Sequence, residues 1–340
     1  MNLGLFGRIV ILILSLFVFS ESCKAGWIRE KIKNRFIKKM EEKPAPIAST
    51  DLFTRLKTPG DYVFSFSYKN ELRYYKIHIP KSYNPNVPTS LLFALHGGGG
   101  DMEIQSNDEL YLQITKSESL GHIVVFPNGY SPFKSGKIAT WNAGNCCAHA
   151  RDKNIDDVGY FRQLIFHITK QVNVDSSKIY LTGMSNGAMM SYRLACEMSE
   201  VFSGITAVAG TDNTMECNPN RPINIFHIHA MNDERVPFFG GEGKPVGKKT
   251  NGTTFESVPN TILKWVKFNQ CSTVPNRILS KTGAYCDEYS QCKNGVKVKL
   301  CVTESGGHSW PGGKNPRKLT WKESPTTVIN ANDLMWEFFK

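Results

Sequence analysis

The chain has 340 residues, 41% of them hydrophobic and 21% charged, and its formal net charge is +11. That much apolar material can fill a globular core, and the length suits one large domain or two ordinary ones. The basic excess is accompanied by no nucleic-acid-binding motif, so a nucleic-acid partner is not expected, and no internal repeat is visible.

Residues 1–25 read as a signal peptide. Arg8 gives a small positive start, residues 9–19 form an apolar run, and Cys23-Lys-Ala25 resembles a small-x-small cleavage site. The run is shorter than the roughly 18 residues of a membrane span. The protein is therefore expected to be secreted or periplasmic. Residues 26–58 follow as a basic arm. Within it Ile28, Ile32, Phe36 and Met40 recur every four residues, which predicts an amphipathic helix. Such a helix would pack on the rest of the chain or touch an anionic surface. Over residues 59–340 strand-like and helix-like segments alternate without a linker, the pattern of one α/β domain.

Leu91-Leu-Phe-Ala-Leu95 is a continuous apolar run that reads as a buried strand, and His96-Gly-Gly-Gly-Gly100 follows it. A phosphate-cradling loop would need Gly-Lys-Ser/Thr next, and that is absent. Asp156 and Asp157 precede a helical pattern over residues 158–171, where acidic residues are expected to satisfy the first N–H groups.

Residues 178–182 read as a short buried strand and residues 188–195 as a helix. Between them stands Gly183-Met-Ser-Asn-Gly187. Gly-x-Ser-x-Gly at a strand-to-helix junction is the pattern of a nucleophile elbow, a sharp turn that lifts a serine Oγ into a cleft. Ser185 is the expected nucleophile. In the α/β-hydrolase order an acid and then a histidine come after it. Of the eight histidines, His78, His96, His122, His149 and His167 precede Ser185. His227 and His229 lie in Ile223-Asn-Ile-Phe-His-Ile-His229, a strand whose alternate side chains are expected to pack. His308 remains, in a glycine-rich loop after a strand at residues 296–302, and is the expected base. Asp233, on the loop leaving the strand that ends at His229, is the expected acid. Glu234 beside it and Asp212, after a strand at residues 204–209, are its rivals. The backbone N–H groups of Asn186 and of Gly97 or Gly98 are expected to hold the oxyanion. Trp141, Phe238 and Trp310 lie on loops near these residues and are expected either to flank substrate or to pack in the core. A helix is predicted over residues 328–339.

Nine cysteines are present, and only Cys23 lies in the leader. An even remainder in an exported chain points to disulfides. Cys271–Cys292 and Cys286–Cys301 are the expected pairs near the His308 loop. The other four should pair among themselves, with Cys146 and Cys147 each finding a distant partner. No paired Cys-x-x-Cys spacing supports a zinc site.

His96-Gly97, Trp141-Asn-Ala-Gly-Asn-Cys-Cys147, Ile155-Asp-Asp-Val-Gly159, the Ser185 elbow, His227-Ile-His229, Asp233 and Gly307-His-Ser-Trp-Pro-Gly312 occur in one order. Together they resemble the secreted esterases known as poly(3-hydroxybutyrate) depolymerases and feruloyl esterases, from about Tyr62 to the end of the chain. The chain departs from them at Ala230, where relatives have glycine. The resemblance implies an α/β-hydrolase fold, with a mostly parallel central sheet and helices on both faces. It also implies a serine esterase that needs no metal or organic cofactor. The substrate would be a short polyhydroxybutyrate-type ester, or a feruloyl or acetyl ester of a polysaccharide. A prolyl-oligopeptidase-like peptidase and an inactive hydrolase-fold binding protein are the alternatives.

Overall fold

Twelve strands occur among the described residues, ten of them in one sheet. The computed structural model describes residues 30, 31, 33–35, 38, 55–244, 253–314 and 324–340. In chain order the strands are β1 (Gly60–Tyr68), β2 (Glu71–Ile79), β3 (Thr89–Leu95), β4 (Ile123–Pro127), β5 (Val174–Met184) and β6 (Gly204–Val208). They continue with β7 (Asn224–Ala230), β8 (Gly241–Glu242), β9 (Thr254–Phe255), β10 (Asn276–Lys281), β11 (Ala284–Tyr289) and β12 (Val298–Thr303). The large sheet runs β1-β2-β4-β3-β5-β6-β7-β12-β11-β10, and β8 pairs with β9 alone. The six middle strands, from β4 to β12, are parallel, and the antiparallel pairs lie at the two edges. This is the mostly parallel α/β-hydrolase sheet that the sequence implies.

The apolar run of β3 is continuous because both faces of the strand are covered. Leu91, Phe93 and Leu95 point into a core beneath the helices Asp157–Gln171, Asn186–Glu197 and Val258–Phe268. Leu92 and Ala94 point the other way, toward Met335 and Trp336 of the helix Ala331–Phe339. That last helix begins three residues later than its composition suggests. The Asn330 side chain accepts from the N–H groups of Asn332 at 3.0 Å and Asp333 at 3.2 Å, which fixes the start.

The two acidic residues before residue 158 also part company. Asp156 caps its helix through the Gly159 N–H at 2.8 Å, as expected. Asp157 turns inward instead. It is fully buried, 2.7 Å from Arg73 Nη2, and it accepts from the Asn142 N–H at 2.8 Å. A buried carboxylate needs such partners, and a helix terminus alone would not supply a countercharge.

Cys271 pairs with Cys292 and Cys286 with Cys301, as expected. Cys196 pairs with Cys217, and Cys146 pairs with its neighbour Cys147. This last pairing corrects the expectation of distant partners. Six cysteines are matched among themselves across strands and loops, so the adjacent two are left to each other across a cis peptide bond.

The chain divides into two compact units, residues 1–44 with 133–135, and residues 45–132 with 136–340. In the first, Glu30, Lys31, Lys33, Asn34, Arg35 and Lys38 are helical and exposed. The expected leader over residues 1–25 and the apolar positions Ile28, Ile32, Phe36 and Met40 lie outside the described residues. Among the described residues no helix is long and apolar enough to cross a membrane.

Candidate active site

Parallel strands deliver their following loops to one edge of the sheet, which is where open α/β sheets place their ligands. Here that edge receives the His96 turn after β3, Ser185 after β5, the Asp233 loop after β7 and the His308 loop after β12.

Ser185 has φ 56° and ψ −122°, a conformation that costs a residue with a Cβ on the order of 1 kcal/mol or more. Its N–H is anchored to the Val208 carbonyl at 2.9 Å. The flanking glycines are required by close approach. A Cβ on Gly183 would strike the Gly187 backbone, and a Cβ on Gly187 would strike the carbonyls of Leu95 and His96. The elbow and the glycine-rich turn are therefore packed backbone to backbone. A Cβ placed on Gly97 would lie 3.5 Å from the Ser185 Cβ, and one on Gly98 would lie 3.6 Å from the Asn186 Cβ.

His96 orients that turn. It is buried, and burial lowers its imidazole to about 4 against the pull of the Gly97 carbonyl. Its Nε2 accepts from the Gly129 N–H at 2.9 Å, so the hydrogen resides on Nδ1 and is donated to the Gly97 carbonyl at 2.9 Å. The Gly100 N–H reaches the same carbonyl at 2.9 Å. With the Gly97 C=O fixed, the N–H of Gly98, on the same planar peptide, points the opposite way.

Trp141 is fully buried and does not line an open surface. Its indole N–H donates to the His96 carbonyl at 3.0 Å, while its backbone N–H donates to Asn186 Oδ1 at 2.7 Å. The Asn186 amide returns a bond to the Trp141 carbonyl at 3.0 Å. Phe238 and Trp310 are also buried, packed at 6.0 Å from the His229 ring and 5.6 Å from the Tyr111 ring. The exposed aromatic side chain in that loop is Phe239, next to Phe238.

Asp233 is buried and faces His308, with its Oδ2 2.8 Å from the imidazole Nδ1. Its Oδ1 accepts from the N–H groups of Arg235 at 2.8 Å and Val236 at 2.9 Å. Burial alone would raise this carboxyl. The charge of His308 and the hydrogen bonds of His229 and His308 outweigh that and hold it well below the usual carboxylate range. The rivals are engaged elsewhere. Asp212 lies 2.8 Å from Lys264 and accepts from the Trp265 indole at 3.0 Å, and Glu234 is an exposed partner of Lys244. With alanine at position 230, the turn is closed by the Asp233 N–H, which donates to the Ala230 carbonyl at 3.2 Å. Asn232 is a residue that the motifs did not single out. Its Oδ1 accepts from the Gly307 N–H at 2.9 Å and ties the acid loop to the histidine loop.

Known proteins bear on this arrangement. A family described as Phospholipase/Carboxylesterase matches residues 110–261. Feruloyl esterase B of Piromyces equi is 34% identical over 206 residues, covering 57% of this chain and 35% of that protein. A bifunctional acetylxylan esterase/xylanase of Neocallimastix patriciarum is 25% identical over 233 residues, covering 68% of this chain and 30% of that protein. The chain thus spans about a third of the length of these relatives. An acetyl xylan esterase from Aspergillus awamori superimposes with a TM-score of 0.54 at 14% identity, over 82% of this chain and 98% of that one, a likeness of fold. With its parallel sheet and its elbow, the chain has the α/β-hydrolase fold, and its sequence is similar to these esterases.

Proposed function

We propose that the protein is a serine carboxylic-ester hydrolase that works through an acyl-serine intermediate. The observation that carries this reading is the buried Asp233–His308 pair at 2.8 Å on the sheet edge that also bears the Ser185 elbow. An Nδ1–H donated to Asp233 makes Nε2 the basic nitrogen of His308. That nitrogen takes the Ser185 proton as Oγ attacks the ester carbonyl, and Asp233 stabilises the imidazolium. The oxyanion is held by the N–H of Asn186 and that of Gly97 or Gly98. Asn186 stands at the positive end of the helix Asn186–Glu197, which favours the developing charge. The imidazolium then protonates the leaving alcohol. Water, deprotonated by the same histidine, attacks the acyl-serine and releases the acid.

The esterase relatives support feruloyl or acetyl groups on polysaccharide as substrates, whereas hydroxybutyrate oligomers rest on the resemblance of the sequence motifs. Export through the leader is supported by four disulfides, which persist in oxidising compartments. The basic N-terminal segment is the part suited to an anionic surface.

Ser185→Ala should lower turnover of p-nitrophenyl butyrate by about 10⁴-fold or more and abolish labelling by a fluorophosphonate. Retained turnover in that variant would overturn the mechanism. A turnover panel of methyl ferulate, acetylated xylan and hydroxybutyrate trimer then ranks the substrates.

A further inference from the structure

The proposed reaction uses neither histidine of β7, yet both are in the core, with His227 fully buried and His229 nearly so. Alternation along a strand puts residues 227 and 229 on one face. Their rings lie nearly parallel, 6° apart, with centroids separated by 5.2 Å. They belong to an unbroken hydrogen-bond chain. Tyr192 OH, on the helix Asn186–Glu197, lies 2.7 Å from His227 Nδ1, and His227 Nε2 lies 3.0 Å from His229 Nδ1. His229 Nε2 reaches the Val236 carbonyl at 2.8 Å and Oδ2 of Asp233 at 3.3 Å.

The hydrogens of this chain run in one direction. A carbonyl oxygen only accepts, so Nε2 of His229 carries hydrogen and its Nδ1 is the acceptor in the neutral ring. His227 must then donate from Nε2 and accept at Nδ1 from the Tyr192 hydroxyl. Burial holds His227 far below the usual imidazole range, in keeping with a neutral ring. Every donor points along the chain toward the Val236 carbonyl, beside Asp233.

At that end the chain braces the acid twice. The Val236 N–H holds Oδ1 of Asp233 at 2.9 Å, and the carbonyl of the same residue receives His229. Oδ2 accepts from His308 at 2.8 Å, and the His229 Nε2 edge stands 3.3 Å from the same oxygen. The carboxylate is thereby held in rotation about its own axis, in the orientation that meets the His308 Nδ1–H.

We propose that Tyr192, His227 and His229 are positioning residues, a directed hydrogen-bond chain that aims the Asp233 carboxylate at His308. This rests on the reading of Ser185, Asp233 and His308 as a catalytic triad. It assigns a task to the His-x-His spacing of β7, which packing alone would fill with any apolar pair.

The test combines steady-state kinetics on p-nitrophenyl butyrate with the low-field proton resonance of the His308–Asp233 hydrogen bond, on the full chain. Loss of that resonance in His308→Gln assigns it. His229→Gln keeps an N–H near the Nε2 position, whereas His229→Asn leaves one only near Nδ1. The Asn variant should lower kcat about ten- to hundredfold with KM held within about twofold, and displace the resonance, because misplacement of a catalytic group acts on the transition state. The Gln variant should recover most of both. Tyr192→Phe, which removes one hydroxyl, should shift the resonance in the same direction by less, and it carries the test if His229→Asn does not fold. Equal kinetics for the Gln and Asn variants with an unmoved resonance in all three would overturn the proposal and leave packing as the role. The resonance is read without substrate. If it responds to the chain while the wild type hydrolyses no ester, the ester reading falls and the aiming of Asp233 at His308 stands.

Discussion

The indole N–H of Trp141 donates to the carbonyl of His96 at 3.0 Å, and through its backbone the same residue holds the Asn186 side chain. One buried residue thus joins the two segments proposed to supply the oxyanion donors. Trp141→Phe keeps an aromatic ring, though a smaller one, and removes the indole donor, leaving a buried carbonyl unsatisfied at a cost of about 1–3 kcal/mol. Turnover should fall by about tenfold with KM little changed, since the donors act on the transition state. Kinetics and thermal melting of the variant check both effects. An unchanged kcat in a well-folded variant would separate Trp141 from the donor loops.

The positive φ of Ser185 sets the elbow against its own stability. Replacing it with glycine relieves the strain, and replacing it with alanine does not. Ser185→Gly should therefore be about 1 kcal/mol more stable than Ser185→Ala, both being inactive. Denaturant melts of the two variants measure the difference, and equal midpoints would count against a strained elbow.

Asp233 gives the protein a specific acid sensitivity. Its carboxyl is depressed in the folded state, so its contribution to stability is complete above the ordinary carboxylate range. That contribution is lost as pH falls through that range toward the folded value. Between about pH 5 and pH 2 the wild type should lose on the order of 2 kcal/mol more stability than Asp233→Asn does. Denaturant midpoints recorded across that window test this. Parallel curves for the two proteins would mean that the carboxylate is not held by its histidine partners.

The cystines also make a measurable contribution near the histidine loop. Cys286–Cys301 spans 15 residues and ties β11 to β12, and Cys271–Cys292 spans 21. Loops of this size predict about 3 kcal/mol from each bond. Cys271→Ala with Cys292→Ala should lower stability by that amount. Because His308 follows β12, mild reduction should depress activity before the sheet melts. A non-reducing peptide map with all eight cysteines from Cys146 to Cys301 alkylated, or a melting temperature indifferent to reductant, would remove the cross-links from the account.

The elbow, the chain order of Ser185, Asp233 and His308, and the buried strands on either side of the glycine-rich turn are written locally. Each depends on hydrophobic period or on glycine where two backbones meet, and a few neighbouring residues suffice to show it. The Cys271–Cys292 and Cys286–Cys301 pairs are nearly as local, since one joins the strands of a hairpin. Other features were decided by contacts between residues far apart in the chain. Asp157 looked like a helix cap, but Arg73, 84 residues earlier, turned it into the core. Trp141 looked like a possible substrate contact, but its partners at residues 96 and 186 lie 45 positions away on either side. His227 and His229 looked like packing. Their role depends on β7 lying between β6 and β12, beside the helix that carries Tyr192, and on the loop that folds Val236 back over them. A side chain's own chemistry and its near neighbours fix what it is able to do. Which partner it meets is fixed by strand order and register, and these come from burying the whole sheet at once.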